Sequence, residues 1–146
     1  MKRSLALAAV LALVLVSASF AEVKEFAKFS INVADGWTAS DNQGTAVITK
    51  NDNSAQLTIS IADAGGATAA QLAEAFVEEF KKSFLSVSAP VADADGDYSW
   101  EMTTPAGATS KAALSVDGSD FILIVITNAE AAPADISAML GSIKQK

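Results

Sequence analysis

The densest group of side chains able to do chemistry is Asp93-Ala94-Asp95-Gly96-Asp97. Closely spaced carboxylates beside a glycine can offer oxygens to calcium. The EF-hand order places glycine sixth and a glutamate twelfth. Here glycine comes fourth, and the twelfth position counted from Asp93 is Thr104. The same residues also describe an Asp-Gly hairpin turn with acidic flanks. Asp93, Asp95 and Asp97 are therefore calcium candidates weighed against an ordinary turn.

Residue types exclude more than they include. The chain has no histidine and no cysteine. The common general base, the nitrogen and sulfur ligands of zinc and the thiol nucleophile are all missing. Neither a Ser-His-Asp nor a Cys-His arrangement can be built. There is no phosphate loop and no GxGxxG. Gly65-Gly66 reads better as a loop entering a capped helix than as an anion site. The 17 acidic residues single out no carboxylate pair for acid–base work. The expectation is a protein that is not an enzyme and uses no cofactor. Trp37 and Trp100 remain, because tryptophan is enriched where proteins bind one another. Each is either core or partner surface. Trp37 follows the Gly36 turn, and Trp100 shares a strand face with Tyr98 and Met102.

The elements that must position these residues begin after an export signal. Lys2 and Arg3 precede an apolar run from Leu5 to Val16, and Ser19 and Ala21 form a small-x-small cleavage site. This is the pattern of a cleavable signal peptide over 1–21. The run is too short for a spanning helix, which needs about 20 apolar residues. Without cysteine there is no lipid-anchored mature terminus and no disulfide. Cleavage leaves residues 22–146 as a single domain. Eight of the ten basic residues then remain against 17 acidic ones, a net charge of −9. Such a surface repels nucleic acid and anionic lipid.

Along the domain, Phe29, Ile31 and Val33 alternate with polar residues as a half-buried strand. Asp35-Gly36 is a turn, Trp37 opens a short strand and Ser40 to Gly44 reads as a polar loop. Thr45 to Lys50 and Leu57 to Ile61 are strands joined through Asn51-Asp52-Asn53. Thr68 and Gln71 form a capping box. Leu72, Phe76, Val77, Phe80 and Phe84 then make one apolar stripe at helical period. Glu74, Glu78, Glu79, Lys81 and Lys82 fill the other face, acidic residues towards the start and basic ones at the end, as suits the helix dipole. Val87 to Ala92 is an edge strand broken by Pro90. Tyr98 to Thr103 and Ala112 to Val116 alternate as strands. Phe121 to Ile126 is apolar without alternation, as in a central strand buried on both faces. A last helix starts near Pro133 and carries Ile136, Met139, Leu140 and Ile143 on one side, with Lys144 and Lys146 at its end. The fold class is α+β: an antiparallel sheet layered with two amphipathic helices. An α/β/α sandwich is favoured over both helices on one face.

At Phe29-Ser-Ile-Asn-Val-Ala-Asp-Gly-Trp37 the chain resembles the opening hairpin of the PsbP-like group. That group includes the photosystem extrinsic protein, the Mog-type Ran-binding protein and DcrB-like envelope proteins. Ala34 stands where the group's pattern has proline. The order of elements is similar across most of the domain. The resemblance implies the fold and a habit of binding proteins rather than catalysing reactions, and it carries over no site residue. The expected function is an exported, soluble, periplasmic or secreted domain that binds an unidentified protein partner. The alternative is a carrier of a small apolar ligand held between the phenylalanine-rich helix and the sheet.

Overall fold

The computed structural model describes residues 20–146. Except for Phe20 and Ala21, the expected signal peptide lies outside the described residues. Those two open a strand that alternation does not reveal, β1 (Phe20–Glu25), paired antiparallel with β2 (Phe29–Ala34). There follow β3 (Trp37–Asn42), β4 (Thr45–Lys50), β5 (Gln56–Asp63) and α1 (Ala69–Phe80). The second half holds β6 (Ser86–Val87), β7 (Val91–Ala92), β8 (Tyr98–Thr103), β9 (Thr109–Asp117) and β10 (Asp120–Thr127). A 3-10 turn at Ala129–Ala131, α2 (Pro133–Gly141) and β11 (Lys144–Gln145) complete the chain.

The strands form two antiparallel sheets. The larger runs β3-β4-β5-β10-β9-β8-β6, with β7 also on β8, and the smaller runs β1-β2-β11. The expected opening hairpin at Asp35-Gly36 is instead a corner: β2 and β3 belong to different sheets. Gly36 turns it at φ +81°, in the left-handed region that glycine reaches without strain. The corner keeps Val33, Ala34 and Trp37 together in the core between the sheets.

Three local readings change. β3 runs on to Asn42, so Ser40 to Gly44 is not a loop. Gln43 and Gly44 both take positive φ, which closes a tight two-residue hairpin in place of a longer loop. α2 stops at Gly141, and Lys144 leaves it for a strand on β2. α1 has no acidic residue in its first turn and no basic residue in its last, so its charges do not follow the helix dipole. Lys81 and Lys82 instead pair with Glu78 and Glu79. The capping box is present, with Thr68 Oγ1 accepting from the Gln71 amide.

The helices lie on opposite faces of the large sheet. Cross-strand partners share a face, so the register sorts every strand residue. Ile122, Ile124 and Ile126 of β10 pack with Ile48, Leu57, Ile59, the β2 residues and Ile136, Met139 and Leu140 of α2. Leu123 and Val125 pack on the other side with Leu114, Trp100 and Ala73 and Val77 of α1. β10 sits between β5 and β9 and is buried from both sides, which is why its sequence does not alternate.

The coverage is staggered. On the front face, α2 and the small sheet cover β3, β4, β5 and β10. On the back face, α1 covers β8, β9 and β10. Two quarters are left bare. The back of β3-β4-β5 carries Thr38, Ser40, Thr49, Thr58 and Ser60 around Val47, a mostly polar surface. The front of β8-β9 carries Ser99, Glu101, Thr103, Lys111 and Ala113 and borders the candidate site.

Candidate functional site

On the front face, the register aligns Ile124 with Ala113 and Ala113 with Ser99. The next row aligns Ile126, Lys111 and Glu101. Ser99 in turn lies opposite Val91 of β7. These two rows floor an open groove of about 540 Å³, walled by Ala129 and Leu140 on one side and Val91 on the other. Its size falls in the usual range of ligand sites.

The sequence alternation explains its character. β8 and β9 send their large side chains, Trp100, Met102 and Leu114, to the back face under α1. Their front-facing positions are therefore small or polar, and nothing covers them. Val91 is 66% exposed. Lys111 Nζ lies 3.5 Å from Glu101 Oε1, a loose pair across the rim with both side chains more than half exposed. Glu101 is the one carboxylate in the lining and Lys111 the one cation.

This groove is on the opposite face from the position expected for an apolar site. Between the phenylalanine-rich helix and the sheet there is packing instead. Phe76 contacts Phe121 edge-on at 5.4 Å between ring centres, and Phe80 contacts Phe84 at 5.5 Å and Trp100 at 6.2 Å.

The structure separates the other candidates. Asp93 Oδ1 accepts the amides of Asp95 at 2.9 Å and Asp97 at 3.0 Å, while the Asp93 amide donates to the Asp97 carbonyl at 2.9 Å. The Asp93 carboxylate is thus engaged in closing the turn, with Gly96 at φ +82°. Among the described residues, no three acidic, histidine or cysteine side chains come together as a metal site. Trp37 is 5% exposed and Trp100 3%, so both rings are core and neither offers surface to a partner. Trp37 Nε1 donates to Asp135 Oδ2 at 3.0 Å. Trp100 Nε1 is buried without a hydrogen-bond partner, which costs about 1–3 kcal/mol for such a group. Sequence reasoning missed the groove because no single segment signals it. The one local hint is the Ser99, Glu101, Lys111 and Ala113 set, which leaves the front of β8-β9 poor in apolar residues.

Two sheets with helices on opposite faces of the larger define an α+β protein of the α/β/α sandwich class. Within that class the chain has a PsbP-like fold. It is similar to the solution structure of cyanobacterial PsbP (CyanoP) from Synechocystis sp. PCC 6803, with a TM-score of 0.56 at 11% identity. That match covers 92% of this chain and 98% of the other. A crystal structure from Bacteroides thetaiotaomicron VPI-5482 matches at a TM-score of 0.48 and 16% identity, over 89% of this chain and 49% of that one. No protein-family model matches the sequence, and no curated protein matches it. Among the described residues no helix is long and apolar enough to cross a membrane.

Proposed function

We propose that this chain is an exported, non-enzymatic accessory domain that binds another protein in the periplasm or outside the cell. The observation that carries this reading is the bare front quarter of the large sheet. Most of the apolar surface of the large sheet lies under α1, α2 or the small sheet, while along the front of β7-β8-β9 Val91 is exposed and Ala113 only half-buried. Soluble proteins seldom leave a grooved apolar surface without a use for it. The signal-like N-terminus, the absence of histidine and cysteine and the PsbP-like fold support the same reading. The test is crosslinking of tagged protein in the producing cells. A specific partner recovered above abundant bystanders is expected, and recovery of bystanders alone would count against binding.

The groove volume of about 540 Å³ also favours a second reading, carriage of a small apolar molecule. Native mass spectrometry of freshly purified protein separates the two. Carriage requires an added ligand mass, and a single mass for the bare polypeptide removes it.

A further inference from the structure

We infer that β3, the open edge of the large sheet, pairs with β3 of a second copy of this chain, antiparallel about a two-fold axis that sets Ala39 opposite Ala39. This surface is separate from the groove and does not rest on the protein-binding reading.

The first observation is that every sheet edge but this one is blunted. A free edge strand invites pairing with another chain, and proteins guard it with short strands, proline, lysine or a bulge. At the other end of the large sheet, β6 and β7 have two residues each, with Pro90 between them. In the small sheet, β11 has two residues, one of them Lys144, and β1 carries Lys24 and a register break between Phe20 and Glu22. β3 runs for six residues, Trp37 to Asn42, with no proline, no lysine and no break in its register with β4. Among the described residues no strand pairs with its other side. Thr38, Ser40, Asp41 and Asn42 are exposed.

The second is backbone direction. The Asn51 amide donates to the Gly36 carbonyl at 2.8 Å, one residue beyond the Trp37–Lys50 pair. Bonded and non-bonded pairs alternate along antiparallel strands. Thr38, Ser40 and Asn42 therefore bond to β4, and Trp37, Ala39 and Asp41 turn their amides and carbonyls outward. A ladder forms only where outward residues oppose outward residues. The axis at Ala39 opposes Ala39 to Ala39 and Trp37 to Asp41, which uses all of them in roughly six main-chain hydrogen bonds. Moving the axis one residue either way leaves an outward residue of each copy unmatched.

The third is charge. With 17 acidic residues against 10 basic ones, two copies repel. Asp41 is the one charged side chain of β3, and the back of β3-β4-β5 carries none. With the axis at Ala39, the two Asp41 residues stand about 14 Å apart along the strands. That exceeds the screening length of about 8 Å at physiological salt. An axis at Ser40 would bring them to about 7 Å. The register at Ala39 also sets Thr38 opposite Ser40 twice on the back face, a hydroxyl pairing that stabilises neighbouring strands. Backbone direction and charge thus select the same register.

The test is sedimentation velocity of the purified chain from micromolar to near-millimolar concentration. Edge pairing is a small interface, so a dimer fraction that rises with concentration is expected. Thr38→Lys/Ser40→Lys sets lysine opposite lysine and should weaken the dimer by roughly tenfold or more. Thr38→Lys/Ser40→Glu sets lysine opposite glutamate in this register alone and should keep the dimer within about twofold or tighten it. Bulk charge predicts the reverse order, because two added lysines bring an acidic chain nearer neutrality. Ala39→Pro removes the central donor on the side that β4 does not use and should leave a monomer. Val23→Lys, on the β1 edge, should leave the dimer within about twofold. Thr38 and Ser40 are exposed, so the double variants keep the test valid even where Ala39→Pro unfolds the chain.

A monomer at every concentration would overturn the inference. So would a dimer that Thr38→Lys/Ser40→Lys leaves intact, or one that both double variants weaken equally. Weakening by Val23→Lys as large as that by Thr38→Lys/Ser40→Lys would move the contact to the small sheet and overturn it too.

Discussion

The indole nitrogen of Trp37 donates to Asp135 Oδ2 across 3.0 Å, tying the first residue of β3 to the first turn of α2. The bond spans 98 residues of sequence and joins the large sheet to the layer over its front face. It also satisfies the one polar atom of a ring that is otherwise core.

Because the bond involves a carboxylate in a part-buried setting, its loss should be measurable. Trp37→Phe and Asp135→Ala should each destabilise the protein by about 1–3 kcal/mol in chemical denaturation. Asp135→Ala leaves the buried N–H unpaired, whereas Trp37→Phe removes the donor but leaves space. In the double mutant the two losses should fall short of additivity. Full additivity would show that the two residues act independently.

The staggered coverage makes β10 the strand on which both cores depend. Ile124 is 1% exposed and lies in the front cluster. Ile124→Ala should cost about 2–5 kcal/mol. Thr58 is on the uncovered back face of β5, so Thr58→Ala should change stability by less than about 0.5 kcal/mol. Comparable losses at the two positions would mean that the back of β5 is also covered.

These two positions show what the sequence makes legible. Ile124 stands in an apolar run without alternation, and Thr58 in a strand that alternates cleanly. Both patterns are direct consequences of which faces are covered, so strand type and the α/β/α layering can be read from them. β1 cannot, because Phe20 and Val23 are exposed and its stability comes from pairing with β2 rather than from a buried face. The break into two sheets is also silent, since an Asp-Gly turn serves a hairpin and a corner alike. The groove arises from the lateral offset of α1 and α2 on the sheet, a relationship between distant elements. Sequence reasoning singled out the tryptophans, the largest rings on the chain, and size is what buried them.

The Asp93 turn gives a prediction opposite to the calcium reading. Its carboxylate accepts two amides within the turn, so millimolar calcium has no prepared ligand set there. Thermal midpoints with calcium and with chelator should coincide. Asp93→Ala should lower the midpoint in both by the same amount, reflecting about 1 kcal/mol of lost turn bonding. A rise in midpoint with calcium that Asp93→Ala abolishes would restore the metal site.

Asp52 supplies a pH dependence. Its carboxylate is held well below the usual range by hydrogen bonds from the Lys50 ammonium and from the side chain and amide of Ser54. A folded-state value below the unfolded one stabilises the fold above the unfolded value, about 3.9, and that contribution fades as pH falls towards the folded value. The side chain is largely exposed, so the effect on stability is small. In carboxyl NMR titration, Asp52 should have a midpoint below that of an ordinary aspartate, and Lys50→Met should bring it back towards the ordinary range. An ordinary midpoint in the unaltered protein would show that the Lys50 and Ser54 contacts do not persist in solution.

Processing after Ala21 can be judged against the β1 register. The regular ladder runs from Glu22 opposite Val33 to Glu25 opposite Ser30, and it is interrupted between Phe20 and Glu22. A chain beginning at Glu22 therefore keeps the whole regular part of β1. It also keeps Glu25, whose carboxylate pairs with Lys146 at 2.9 Å and helps hold the end of the chain against the small sheet. Exported protein should have an intact mass that starts at Glu22, and its stability should equal that of a chain beginning at Phe20. A chain beginning at Phe26 loses the β1 ladder and the Glu25 pair. With β1 gone, β2 has only the two residues of β11 beside it. The shortened chain should lose about 2 kcal/mol or more, from several backbone bonds worth roughly 1 kcal/mol each. An unchanged denaturation midpoint for that chain would show that β1 adds nothing. A mature mass starting elsewhere would move the processing site off the register break.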